Sequence, residues 1–245
     1  MKIIKSEYYD IQRKMVASVT TDSWKDIPHI SYIYEPDVTA LFDEYKKINE
    51  NRCDENKVTF NTVILKILTE GIKAAPIMNS HIKYNHLTAK GKIITYKNIN
   101  ISMPTILPDG KMMTTNLHDF HKKNIDEMSD YLKSLRRRAE NSNLTEALYT
   151  VAYNKTIQTI KQGKLIQAFF RITESKLGKT KTTLLKGKER KEYYSIPESD
   201  RLTKKDIEQG TVTISNLGSI HRNQTGMCFL LEIIPPQVTA IAVNA

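Results

Sequence analysis

The feature that most constrains this chain is a β-rich tract near its end. Gly210-Thr211-Val212-Thr213-Ile214-Ser215-Asn216-Leu217-Gly218 alternates small polar and β-branched residues and stops at a Leu-Gly corner. A loop leads to Cys228-Phe229-Leu230-Leu231-Glu232-Ile233-Ile234, then Pro235-Pro236, then Val238-Thr239-Ala240-Ile241-Ala242-Val243. β-branched residues suit a pleated, half-buried surface, and consecutive prolines cannot donate to a ladder. The spacing predicts a strand, a loop, a second strand, a proline turn and a third strand, together forming the buried centre of a sheet. Ser215 places a hydroxyl on an otherwise apolar strand. On burial it needs a partner, either a neighbouring carbonyl, the commoner case, or a reacting group.

Upstream, Tyr8, Ile11, Met15 and Val19 recur at three- and four-residue steps, so a helix is expected from Ser6 to about Val19 with Ser6 as its N-cap. Pro28 to Tyr34 alternates like a half-buried strand. Asp37 is placed to cap a helix through Leu41, Phe42, Tyr45 and Ile48. Thr59 opens a third helix carrying Phe60, Val63, Ile64, Ile67, Leu68 and Ile72, which Pro76 stops. It is apolar on more than one face and is expected to pack on the sheet. Ile93 to Tyr96 and Ile99 to Met103 read as strand, Pro108-Asp109-Gly110 as a turn, and Lys111 to Leu117 as the returning strand. Asn124 with Glu127 makes a capping box for a helix through Met128, Tyr131, Leu132 and Leu135. Leu144 to Ile160 has helical spacing, Gly163 breaks it, and Leu165 to Phe170 continues as a short apolar helix. Phe169 and Phe170 are expected to bury on the body of the protein or on a neighbouring subunit. Lys176 to Arg190 is basic and reads as loop.

Of 245 residues, 40% are hydrophobic and 26% charged, an ordinary globular composition with chain enough for a real core. The two cysteines, Cys53 and Cys228, have no CxxC spacing, which argues against a disulfide scaffold or zinc site and fits a reducing cytoplasm. No run reaches membrane-span length and the N-terminus lacks a signal-peptide core. The net charge of +10 is spread along the chain without interleaved aromatics. A solvated basic surface ranks first, attraction of a polyanionic small molecule second, and nucleic acid last. The element order is not a doubly wound repeat, and there is no GxGxxG or P-loop.

Thr213-Ile214-Ser215-Asn216-Leu217-Gly218, with Ile233-Ile234-Pro235-Pro236-Gln237-Val238 and Ala240-Ile241-Ala242-Val243, resembles the catalytic domain of the 2-oxo-acid dehydrogenase acyltransferases (dihydrolipoamide acyltransferases), related in fold to chloramphenicol acetyltransferase. The Pro28-His29 strand, Glu35-Pro36-Asp37-Val38-Thr39, the Ile99-Asn100-Ile101 strand and the helix ending at Arg136-Arg137-Arg138 follow the family's order. The resemblance implies a chloramphenicol-acetyltransferase-like α/β fold: a two-layer sandwich of a mixed β-sheet with helices on one face. It implies a single domain over 1–245, with a helical and basic insertion at about 140–200 as in stand-alone members lacking lipoyl domains. The family's C-terminal His-x-x-x-Asp-Gly segment is absent from this chain, and no covalent lipoyl group is expected on it.

By the same resemblance, the function is coenzyme A-dependent transfer of an acyl group between coenzyme A and a thiol or other small acceptor, in a homotrimer and without metal. A lipoyl-bearing protein is a further partner. Ser215 would donate to the oxyanion, and Asn216 and Gly218 would contact the coenzyme. His29 is the best substitute base, since the family's first strand lines the acceptor channel, although a strand histidine is more often a hydrogen-bonded structural residue. The alternative is a catalytically silent homologue acting as an assembly or regulatory subunit. His118 and His121 lack a third metal ligand nearby and read as helix entry. His221 follows the serine strand in a polar loop. Cys228 reads as inert core before it reads as an acyl acceptor. Glu232 faces outward or meets another subunit.

Overall fold

The computed structural model describes residues 2–85, 88–106, 112–161, 165–166, 169, 172–173, 182–220 and 226–244. The turn at 108–110, His86, Gly163, Phe170 and His221 lie outside the described residues. The chain divides into two compact units, Asp22–Arg136 with Gln209–Ala245, and Met1–Thr21 with Arg137–Glu208.

The first helix, α1, spans Ile11–Asp26 rather than Ser6 to Val19. Its start is set by Asp10, whose Oδ1 accepts the Arg13 N–H at 2.8 Å, leaving Ser6 in exposed chain. α2 (Thr39–Glu50) begins where Asp37 Oδ1 accepts the Thr39 N–H at 2.9 Å. α3 (Phe60–Ala74) is capped by Thr59, whose hydroxyl accepts the Thr62 N–H, and Pro76 follows its end. Asn124 and Glu127 exchange side-chain-to-backbone bonds of 2.8 and 2.9 Å to open α4 (Ile125–Glu140). These caps satisfy donors that every helix start leaves open.

The sheet of the first unit has strands β3 (Ile101–Ile106), β4 (Met112–Leu117), β5 (Val212–Asn216) and β6 (Ala240–Val243) in the order β4-β3-β5-β6. β3 pairs antiparallel with β4 and parallel with β5, and β5 pairs parallel with β6. Ile101 stands opposite both Leu117 and Val212. These three and Ile214 therefore share one face, and all four are fully buried. Ser102, Asn116 and Thr213 share the other face with Ser215. A two-stranded antiparallel ribbon, β1 (Ser80–Asn85) with β2 (Lys90–Thr95), completes the unit's strands. Its first strand is not legible in the sequence, because Ser-His-Ile-Lys-Tyr-Asn carries little β-branched or apolar character.

Two expected strands are absent from the sheet. Residues 228–234 and 28–34 join no ladder. Side chains take the place of strand partners. Cys228 N–H goes to Asn244 Oδ1 at 2.7 Å, and Ile233 N–H goes to His29 Nε2 at 3.0 Å. The Ile233 carbonyl accepts from Ser23 Oγ at 2.8 Å, and the Ile234 carbonyl accepts from Gln209 Nε2 at 3.0 Å. Four backbone groups of 228–234 are thereby satisfied without a ladder.

In the second unit, α5 (Leu144–Lys161) matches its periodic stretch. Residues 187–190, expected as loop, begin a helix instead, α6 (Gly187–Ser195). The buried Glu146 carboxylate accepts the Leu185 N–H at 2.7 Å and the Tyr194 hydroxyl at 3.0 Å, while Arg201 lies over the rings of Tyr193 and Tyr194. Thr203 and Asp206 form the capping box of α7 (Lys204–Ile207). Asp206 also pairs with Arg138 at 2.8 Å, both side chains nearly buried. Phe169 is exposed on this chain.

Candidate functional site

Ser215 lies near the end of β5 and is 6% exposed. Its register partner is Ala242 on β6, so the two side chains share a sheet face. Around Ser215 this face is small and polar, and several of its groups are bonded in sequence, although Asn116 Oδ1 is buried without a partner. Thr213 Oγ1 donates to Gln237 Oε1 at 2.6 Å, Gln237 Nε2 donates to the Gly210 carbonyl at 2.8 Å, and Gly210 N–H donates to Ser102 Oγ at 2.8 Å. Among the described residues the Ser215 hydroxyl has no such bond. The hydroxyl is not among the buried polar atoms left without a partner, so its oxygen stays accessible and can donate to a ligand.

A groove of about 140 Å³ opens at the edge of the sheet beside β6. Ala240, Ala242 and Asn244 form one wall, with His29 to Tyr34 and Cys228 to Leu231 as the others. Alanines at 240 and 242 leave room against the strand that any larger residue would fill. His29 borders this groove. Its Nε2 accepts the Ile233 N–H, so in the neutral ring the proton sits on Nδ1, which is buried without a partner. Ser23 Oγ lies 3.3 Å from the same Nε2, and the Trp24 ring is 5.5 Å away. The lone pair a general base would use is thus already engaged by a backbone donor.

Asn216 sits on the opposite face of β5 from Ser215, as the two-residue period of a strand requires. Its amide donates to Asn61 Oδ1 on α3 at 2.9 Å. Gly218 lies in the short helix α8 (Leu217–Ile220) that turns the chain away from β5. The structure therefore sets Ser215 on the sheet face of Ala242, one residue of the groove wall, brings His29 to the groove's rim, and holds Asn216 against the helix layer. Sequence reasoning did not single out Gln237 or Ala242. The alternation Ala240-Ile241-Ala242 is the signal that could have marked the small-residue face.

His121, Glu232 and Cys228 make contacts within the fold. His121 Nδ1 accepts the Ile99 N–H at 3.2 Å, and burial pushes its imidazole below the ordinary histidine value, against the opposing pull of Asp119. Glu232 Oε1 accepts from the Trp24 indole at 3.0 Å. Cys228 directs its thiol to the Leu230 carbonyl at 3.1 Å. Among the described residues no helix is long and apolar enough to cross a membrane.

The fold is the chloramphenicol-acetyltransferase-like α/β fold of acyltransferase catalytic cores. It is similar to the truncated catalytic core of the 2-oxoacid dehydrogenase multienzyme complex from Thermoplasma acidophilum, at a TM-score of 0.58 and 18% identity, over 99% of this chain and 79% of that one. It is similar also to the dihydrolipoamide acetyltransferase of Azotobacter vinelandii, in which a serine, a histidine and an asparagine have been studied for their roles in catalysis. There the TM-score is 0.60 at 17% identity, over 98% and 72% of the two chains.

Residues 4–153 match the family of 2-oxoacid dehydrogenases acyltransferase (catalytic domain), and the chain belongs to that family. Among curated relatives, the dihydrolipoyllysine-residue acetyltransferase component of the pyruvate dehydrogenase complex from Buchnera aphidicola is 31% identical over 142 residues, 56% of this chain and 34% of that protein. Its counterpart from Rickettsia prowazekii is 27% identical over 135 residues, 54% of this chain and 31% of that protein. The chain spans about a third of the length of these relatives. The family match ends before β5.

Proposed function

We propose that this chain carries out coenzyme A-dependent acyl transfer, moving an acyl group between coenzyme A and a thiol or other small acceptor. The carrying observation is the Ser215 hydroxyl, which bonds no described residue and shares a sheet face with Ala242, a residue of the groove wall. One thiolate attacks the carbonyl carbon of the acyl thioester, and the electron pair moves to oxygen. The tetrahedral oxyanion then collapses and expels the other thiolate. The Ser215 O–H donates to that oxyanion, a contribution whose removal typically costs about 10²–10³ in rate. Family membership and the fold of the acyltransferase cores support this reading.

Asn216 and Gly218, at the corner after β5, are the proposed coenzyme contacts. His29 could take the acceptor's proton only by giving up the Ile233 N–H, so its proposed part is to hold the groove wall. A homotrimer is the proposed assembly, with a lipoyl-bearing protein as the source of one thiol. The test is Ser215→Ala with acetyl-CoA as donor and dihydrolipoamide, an amine and an alcohol as acceptors. A fall of about 10²-fold in kcat with little change in KM is expected. Unchanged turnover removes Ser215 from the reaction.

A further inference from the structure

Between Glu70 and Asp109 the sequence carries five lysines and no carboxylate. Lys73 is paired with Glu70. Of the other four, three fall on the β1–β2 ribbon, where the register decides what they face. Lys83 stands directly opposite Lys92, and Lys90 stands opposite Asn85. Opposed residues in an antiparallel pair point to the same side, as do residues two apart. Lys83, Lys90 and Lys92 therefore share one face of the ribbon, and all three are exposed. The other face carries Ile82, Tyr84 and Ile93. None of the three lysines has an ion-pair partner among the described residues.

Like charges set directly across a ladder destabilise it. A lysine on an edge strand does guard against unwanted pairing, but one on β2 would suffice for that. Lys83, on the other strand, only adds repulsion unless something anionic lies across both. Alternate residues of an extended chain are about 7 Å apart, the spacing of Lys90 from Lys92. On the side away from β1, β2 has no strand partner among the described residues, so its backbone is open to an added strand. On the lysine face the ring of His81 packs edge-on against Tyr96 at 4.7 Å, while Tyr84 is on the opposite face. One ring pair engaged with itself is not a row of rings on which successive bases stack, which disfavours single-stranded nucleic acid.

We propose that the lysine face of the β1–β2 ribbon docks an acidic, extended segment of a partner protein, with carboxylates at alternate positions meeting Lys83, Lys90 and Lys92. The test uses the full chain and a fluorescein-labelled ten-residue peptide alternating Glu and Thr, followed by anisotropy. Binding at low salt should weaken about tenfold or more in Lys92→Glu and again as salt rises past the screening range. The combined variant Lys83→Glu, Lys90→Glu, Lys92→Glu should instead bind the matching Lys–Thr peptide, an outcome that simple unfolding cannot give. Circular dichroism checks that each variant is folded, and Lys92→Gln gives a milder second reading. Affinity of Lys92→Glu within about twofold of the parent overturns the proposal. So does tighter binding of an oligothymidylate of equal charge, or displacement of the peptide by equimolar coenzyme A, since each assigns the lysines to phosphate.

Discussion

Ser215 and Ala242 stand opposite one another across the parallel β5–β6 pair, one bearing an unmatched hydroxyl and the other lining the groove. The small side chain at 242 keeps the groove open along the sheet face that carries the hydroxyl. Ala242→Leu should therefore fill part of the groove and lower kcat/KM by about tenfold or more. Because Ala242 is only half-buried, the melting temperature should change little. Steady-state kinetics beside thermal unfolding checks both. Full activity in a folded Ala242→Leu would detach the groove from the reaction.

His29 Nε2 is the acceptor for a backbone N–H that has no ladder to enter. His29→Ala leaves that donor unsatisfied, a loss of about 1–3 kcal/mol in urea unfolding. Activity measured well below the transition should fall only a few-fold. A large rate loss with unchanged stability would instead make His29 the proton acceptor.

Gly210 is held where a Cβ would lie 2.3 Å from the Asn100 carbonyl oxygen. That oxygen also accepts the Thr211 N–H at 2.7 Å, so the backbone cannot draw away without losing the joint between β3 and β5. Gly210→Ala should destabilise by about 3 kcal/mol. Chemical denaturation at unchanged m-value would measure it.

Arg138 and Asp206 form a pair nearly out of water, and Arg138 Nε has no partner of its own. Asp206→Ala strands the guanidinium and breaks the Thr203 capping box, for a combined loss of about 3–5 kcal/mol. Adding Arg138→Met should recover part of that loss, since no lone charge is then left buried. A double-mutant cycle in which the two losses simply add would show the pair to be uncoupled.

Burial lowers the imidazole values of His121 and His81 in the fold. Below the unfolded value of about 6.5, the unfolded chain therefore binds more protons than the native one. The stability these residues contribute is present above that pH and is lost as pH falls from there through their folded values. Melting temperature followed from about pH 7.5 to 5 should drop over this window. His121→Asn should flatten part of the drop, and an unaltered profile would assign the slope elsewhere.

Local physics made much of the molecule legible from its residues. Thr59 and Asn124 cap the helices they precede, because a side-chain oxygen within three residues answers an open N–H. Asp37 marked α2 for the same reason. The Thr-Ile-Ser strand, the turn at Pro235-Pro236 and the strand after it are where alternation and the missing proline donors put them. The placement of Ser215 on the buried strand was likewise in the pattern, though not which neighbour its hydroxyl would lack.

Tertiary structure decided what a local pattern cannot carry. Whether an extended apolar run joins a sheet depends on who answers its backbone. For 228–234 the answers come from Ser23, His29, Gln209 and Asn244, the first two far away in sequence. The helix at 187–195 is likewise tied back by Tyr194 to Glu146, a contact across 48 residues. The sequence alone determined several of the local elements, the caps at Asp37, Thr59 and Asn124, and the family likeness. Only the fold could bring Ala242 beside Ser215 and commit the His29 lone pair to Ile233, because both relationships are distances between segments whose local preferences are silent about each other.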